Sequence, residues 1–160
     1  MKHNQKKSWI SWLCRLFLGG PGWKGKVVKV LDGDTLHVKK RRKIVKIRLY
    51  GVDCPETKQR CGSEATTFAS KLVADKKVRV ETVHTDQYGR TVALVRVGRK
   101  MLNRELVRAG YAWVYPAYCK RQPLCNELNQ LQAKAKKKRK GLWQQKRPLA
   151  PWTWRKRRRK

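Results

Sequence analysis

Acidic side chains are scarce in this chain: ten Asp and Glu stand against 42 Lys and Arg, a formal net charge of +32 over 160 residues. A surface with that imbalance repels itself and attracts polyanions. It is too large to be read as a mere aid to solubility. Nucleic acid is the natural partner, because Lys and Arg release the counterions condensed on phosphates; an anionic membrane surface is the second. Long apolar runs are missing as well. No stretch reaches the roughly 20 residues that a membrane-spanning helix requires, so a helical span is excluded. Tight Cys-x-x-Cys spacing is also absent, which removes the usual signature of a zinc site. The cysteines present are Cys14, Cys54, Cys61, Cys119 and Cys125. Their odd number leaves at least one thiol unpaired in a monomer, which is the expected state. The last four form two local pairs, Cys54 with Cys61 and Cys119 with Cys125, open either to disulfides in an exported protein or to four reduced thiols.

The length suits one domain with short extensions. Residues 1–22 form a basic extension in which Lys2, Lys6 and Lys7 precede Trp9, Ile10, Trp12, Leu13, Leu16 and Phe17. A charged start before an apolar centre resembles an export signal, but Arg15 interrupts the run and no small-residue cleavage site follows. The same residues recur at helical spacing, as an amphipathic helix lying on an anionic membrane would require. A disordered basic arm is the third reading. An exported or membrane-associated location is favoured over a cytoplasmic one, without being fixed. Gly19-Gly20-Pro21-Gly22 ends the extension.

The domain proper is expected over residues 23–143. Strand-like runs cover Lys26–Leu31, Thr35–Lys39, Ile44–Val52, Lys77–Val83 and Thr91–Val97, with a further short one at Ala112–Tyr115. Helical spacing covers Ser63–Ala74, Met101–Ala109 and the stretch from Leu124 onward. Five short strands interleaved with three helices predict an α+β, mainly β, fold: a five-stranded OB barrel with an open nucleic-acid-binding face. Residues 144–160 form a basic tail whose Pro148, Pro151, Trp152 and Trp154 are too apolar for free solvation, so a partial docking contact is expected.

Because acids are few, their positions inform. Four of the ten lie between Asp32 and Glu56, and carboxylates gathered in so basic a chain suggest an oxygen-ligand site for a hard cation. Asp32-Gly33-Asp34-Thr35 sets two carboxylates side by side at a strand end, although Asp-Gly is also an ordinary hairpin turn. In Arg48-Leu49-Tyr50-Gly51-Val52-Asp53-Cys54-Pro55-Glu56, an Arg, an Asp and a Glu are combined with a sharp exit at Pro55. They offer a phosphate clamp, a metal ligand and a base, or else a surface ion-pair network. Asp86-Gln87-Tyr88-Gly89-Arg90 is a turn that brings an Arg close to something.

The three segments together and in this order resemble the staphylococcal nuclease family, or thermonucleases. That family carries Asp-Gly-Asp-Thr, then Arg-x-x-x-x-Asp-x-Pro-Glu, then Asp-x-Tyr-Gly-Arg. The similarity extends from about Lys26 to Trp143, through Asn103-Arg104-Glu105-Leu106-Val107, Gly110 and Gly141-Leu142-Trp143. The resemblance implies calcium-dependent hydrolysis of DNA and RNA with little sequence specificity, leaving 3′-phosphate ends. It implies Asp34, Asp53 and the backbone carbonyl of Cys54 as ligands of one calcium ion, Arg48 and Arg90 as the phosphate clamp, and Glu56 as general base. Tyr88 would lie near the nucleotide. Tyr115 and Tyr118 are candidate base-stacking residues, whereas Trp113 is expected to pack. The chemistry is consistent: charge developing on phosphoryl oxygens has to be met by preorganised cations, and the few carboxylates argue against a second metal.

Two features set this chain apart from the pattern. The loop from Glu56 to Glu64 is short, and the paired cysteines would brace that loop and the start of the last helix if bridged. A non-catalytic nucleic-acid-binding OB module is the competing reading. Against it, Asp34, Arg48, Asp53, Glu56 and Arg90 are all present. A membrane-anchored protein does not exclude either.

Overall fold

A computed structural model describes residues 22–158. Residues 1–21 lie outside it, so the three readings of the basic extension concern residues beyond those described. Among the described residues no helix is long and apolar enough to cross a membrane.

Alternation of apolar and polar residues produces five long strands: β1 (Trp23–Asp32), β2 (Thr35–Lys40), β3 (Lys43–Leu49), β5 (Lys77–Thr85) and β6 (Thr91–Val97). They hydrogen-bond in the order β3-β2-β1-β5-β6, and a parallel pairing of β3 with β6 closes the ring. This is the expected five-stranded barrel. Closure leaves no open edge in the ring and turns one side of each strand inward. Val27, Leu36, Val38, Ile47, Leu49, Val78, Val80 and Val95 are buried as a result. Three helices cover the barrel: α1 (Gly62–Val73), α2 (Leu102–Ala109) and α3 (Leu124–Lys137). Each turns small or branched apolar residues to the core, among them Ala65, Ala69, Leu102, Leu106 and Leu128.

Three differences from the sequence reading matter for the site. The run Ile44–Val52 is not one strand. Gly51, at φ 73°, breaks it, a backbone conformation that costs glycine little. The chain resumes as the short strand β4 (Val52–Asp53), which pairs with β8 (Trp113–Val114). Asp53 therefore sits on its own two-residue strand rather than at the end of the Arg48 strand. A second short strand went unpredicted, β7 (Lys100–Met101), which pairs with the end of β6. Lastly, there are four helices among the described residues, besides a 3-10 turn at Gly141–Gln144. The fourth, α4 (Pro151–Arg157), lies within the tail. Its Pro151 stands at the first helical position, where a missing N–H costs nothing, and is buried.

Of the cysteines, Cys119 and Cys125 are joined by a disulfide, while Cys54 and Cys61 are free. Of the two alternatives left open, the disulfide holds for Cys119 and Cys125 and the reduced thiols for Cys54 and Cys61. Cys54 is buried beneath the Asp32–Thr35 turn, where a Cβ added to Gly33 would stand 2.7 Å from its sulfur. Cys61 instead packs with Trp143 and Ala135 and faces Gln145.

Candidate active site

The β1–β2 hairpin turns through Asp32, Gly33 and Asp34 at one end of the barrel. Gly33 lets this turn settle directly on Cys54 and Ala65. The β4 segment approaches the same point, and the Cys54 N–H donates to Asp34 Oδ2 at 2.6 Å. Asp34 also accepts from the Thr35 hydroxyl at 3.2 Å, and its own N–H donates to Asp32 Oδ1 at 3.0 Å. Two carboxylates converge here with almost no exposure, 2% for Asp34 and 0% for Asp53. A buried carboxylate needs a cationic or hydrogen-bonding partner. Arg48, projecting from β3, supplies it to both. One arm of its guanidinium pairs with Asp34, and the other donates to Asp53 Oδ1 at 2.6 Å. The planar fork can serve two acceptors at once, which a lysine ammonium does less well.

Asp53 is held a second time. Arg155 of α4 donates to Asp53 Oδ2 at 2.8 Å and Oδ1 at 3.2 Å, and to Glu56 Oε1 at 2.7 Å. Burial by itself would pull this guanidinium down. Its bonds to Asp53 and Glu56 outweigh that and hold it above the ordinary arginine value. Glu56 lies in the loop after Pro55, where its N–H donates to the Gln59 side chain and its carbonyl accepts the Gln59 N–H. Buried Gln59 in turn donates to the carbonyl of Leu149 at 2.6 Å. The loop that carries Glu56 and the segment that leads into α4 are therefore tied together.

Arg90 arrives from another direction. Asp86 Oδ1 accepts the N–H groups of Tyr88 and Arg90, both at 2.9 Å, and Asp86 Oδ2 pairs with Arg90 Nε at 2.7 Å. Partial burial would raise the Asp86 carboxyl, but these donors hold it below the usual carboxylate range. Asp32 shows the opposite balance: burial raises it, and Arg48 and Arg90 offset only part of the rise. Burial also pushes the Cys54 thiol far up, so that it is un-ionised at neutral pH.

These groups border one open groove of about 1190 Å³. Asp34, Arg48, Cys54, Glu56, Tyr88, Arg90, Tyr115 and Tyr118 all line it, and Asp53 lies just beneath. Tyr88 and Tyr118 are well exposed, and the Arg90 guanidinium lies 5.5 Å from the centre of the Tyr88 ring. Tyr115 is edge-on to Tyr118 at 4.7 Å. Its ring is covered by Trp152 of α4, stacked at 4.7 Å and 7°. Trp113 packs between Trp143 and Trp152. Sequence reasoning missed Trp152, Arg155 and Lys156 as groove residues. The apolar tail signalled a docking contact but not its destination.

Several known proteins resemble this chain over most of its length. The profile described as Staphylococcal nuclease homologue matches residues 46–145. A protein named "Uncharacterized endonuclease" from Escherichia coli O157:H7 is 44% identical over 132 residues, covering 82% of this chain and 84% of its own. The "Micrococcal nuclease" of Shigella flexneri is 34% identical over 152 residues, covering 88% and 86%. "Protein ParB" of Escherichia coli is 32% identical over 155 residues, covering 89% and 86%.

Proposed function

This chain belongs to the staphylococcal nuclease family, and on that premise we propose that its groove hydrolyses phosphodiester bonds in DNA, RNA or both, with one calcium ion as cofactor. The observation that carries this reading is the convergence of Asp34 and Asp53 on one guanidinium, beside Glu56 and within the groove that Arg90 enters. Nucleases named as such among the relatives support it.

The residues fit a hard divalent ion by their chemistry. Asp34 and Asp53 offer buried carboxylate oxygens, and the Cys54 carbonyl follows directly, so the donor set is all oxygen. Among the described residues no three His, Cys, Asp or Glu side chains cluster as a metal cage. The protein would then supply only these few ligands, leaving positions for water and phosphate. When bound, the ion supplies positive charge to the phosphoryl oxygens and orients the water nearby.

The rest of the chemistry belongs to the side chains. Arg48 and Arg90 meet the non-bridging oxygens with fixed forks, each fork held by an acid: Asp34 and Asp53 for the first, Asp86 for the second. Because these acids orient the donors before substrate arrives, little reorganisation is left for the reaction itself. Glu56 takes the proton of the attacking water as a new P–O bond forms, and the bond to the leaving oxygen breaks. The exposed rings of Tyr88 and Tyr118 would receive bases of any sequence. The basic surface adds affinity without sequence preference.

A non-catalytic nucleic-acid-binding module is the second reading, and one observation favours it: Arg155 ties up both Asp53 and Glu56. Digestion of plasmid DNA and of an RNA in calcium, in excess chelator, and with Glu56→Gln in parallel separates the two. Cutting that needs calcium and drops by about a hundredfold or more in the variant, leaving 3′-phosphate ends, is the expected result. Tight binding with no cutting in any divalent ion would overturn the enzyme reading in favour of the module.

A further inference from the structure

A second cleft of about 340 Å³ adjoins the groove and is lined by Glu56, Thr57, Lys58, Trp154, Arg155 and Arg158. Glu56 and Arg155 border both clefts, so the two meet at the proposed base. Of the three cations in the smaller cleft, Arg155 is committed to Asp53 and Glu56. Lys58 and Arg158 have no carboxylate partner among the described residues. The indole of Trp154 lines the same cleft, with the Arg158 guanidinium 5.9 Å from its centre. Two unpaired cations call for an anion, and an adjacent indole offers a face for an aromatic base. Their combination is the chemistry of one nucleotide.

The tail owns this cleft. Trp154, Arg155 and Arg158 come from α4 and its last turn, and Lys58 comes from the loop that Gln59 ties to Leu149. All three α4 residues lie beyond the span that matches the family, residues 46–145. One end of α4 thus faces the groove through Trp152 and Lys156, and its other side faces the small cleft through Trp154 and Arg158.

We propose that the C-terminal helix builds an additional nucleotide subsite, in which Lys58 and Arg158 bind a phosphate flanking the scissile one and Trp154 stacks the attached base. The subsite rests on the nuclease reading above and extends it, giving substrates long enough to reach past Glu56 an advantage over minimal ones. Lys58 and Arg158 are exposed, so replacing them leaves the core intact.

The test compares the full-length protein with Lys58→Ala/Arg158→Ala and with Trp154→Ala. Steady-state kinetics are measured on a dinucleotide and on a long single-stranded oligonucleotide, and binding of the same oligonucleotide is followed by fluorescence anisotropy in excess chelator. Each variant is expected to reduce the preference for the long strand over the dinucleotide by about tenfold, as loss of one stacked base or of one phosphate held by two cations implies. The double variant should also flatten the salt dependence of binding by about one counterion, as loss of one phosphate contact on a single strand implies. An unchanged long-to-short preference in a wild-type-like nuclease would overturn the subsite while leaving the nuclease reading intact. A wild-type protein that cuts nothing, with variants that still bind the long strand more weakly, would refute the nuclease reading and retain the nucleotide site. Faster cutting of long strands by both variants would overturn the subsite, because it would mean that the tail obstructs substrate.

Discussion

Arg155 holds Asp53, one of the carboxylates that the proposed calcium ion would draw on, and removing Arg155 gives a prediction with a definite sign. Its guanidinium makes three hydrogen bonds, two to Asp53 and one to Glu56. An ion that draws on Asp53 has to break or share the two bonds to that carboxylate. A net hydrogen bond to a charged group contributes about 1.5–3 kcal/mol. The Arg155 side chain is 34% exposed, and solvent screening at such a position cuts the total to about 1–2 kcal/mol. At about 1.4 kcal/mol per tenfold, Arg155→Gln should therefore tighten calcium binding by roughly 5- to 30-fold. Arg155→Lys, which keeps the charge and loses the fork, should fall between the variant and the wild type. Isothermal titration of each protein, first stripped with chelator and without nucleic acid, reads this directly. Calcium affinity unchanged or weakened in Arg155→Gln would refute the argument, since it would mean that Arg155 supports the ion's ligands rather than competing for them.

Three further outcomes follow from the same contacts. Asn103 is fully buried and joins the Tyr50 and Ala93 carbonyls to the Val95 N–H; Asn103→Leu should cost about 3 kcal/mol or more, because several buried backbone groups lose their partner at once, as chemical denaturation would measure. Asp86 lies below its ordinary value in the folded protein, so its contribution to stability is complete above the unfolded carboxylate range and fades as pH falls through the lower, folded value; thermal melts of Asp86→Asn and wild type should differ at neutral pH and converge in acid. Alkylation of the folded, unreduced protein should spare Cys119 and Cys125, which are bridged, and modify Cys61 before Cys54, whose thiol is buried and pushed further up; modification of Cys54 first would contradict that burial.

Much of the barrel was legible because its strands alternate. Where one face of a strand is core and the other solvent, period-two patterning is enforced residue by residue, and β2, β5 and β6 were found near their observed limits. The break at Gly51 was not legible, since Ile44–Val52 alternates straight through the turn and only the positive φ separates β3 from β4. The site was legible for a different reason. Its acids are few in a basic chain, so Asp34, Asp53 and Glu56 stand out, and the Arg residues at fixed spacing complete a pattern that the family shares. Arg155 could not be singled out in this way. It is one of 42 basic residues and only the first of an unbroken basic run from Arg155 to Lys160. What selects it is long-range geometry, namely Gln59 holding Leu149 and buried Pro151 fixing where α4 begins. The state of Cys54 and Cys61 stayed open for a similar reason, because local spacing cannot reveal that the two side chains pack in separate clusters.

The charge balance at the barrel end explains why a guanidinium from the tail belongs there. Asp86 and Arg90 offset one another. The other charges of the groove balance too: Asp32, Asp34 and Glu56, with Asp53 beneath them, face Lys46, Arg48, Arg155 and Lys156, four carboxylates against four cations. Of these cations only Arg48 and Arg155 pair with buried Asp53. Remove Arg155 as well and buried Asp53 keeps only Arg48, which it already shares with Asp34. A buried carboxylate held that weakly is costly. The tail therefore stabilises the ion-free site at the expense of ion affinity, while a phosphodiester entering the groove gives Arg155 an alternative anion. Substrate that draws Arg155 off Asp53 would free the oxygens that calcium needs, and by linkage calcium would favour substrate to the same degree. Positive coupling between the two is thus the expected behaviour of the intact chain, and the coupling should shrink in Arg155→Gln, because the residue that mediates it is gone.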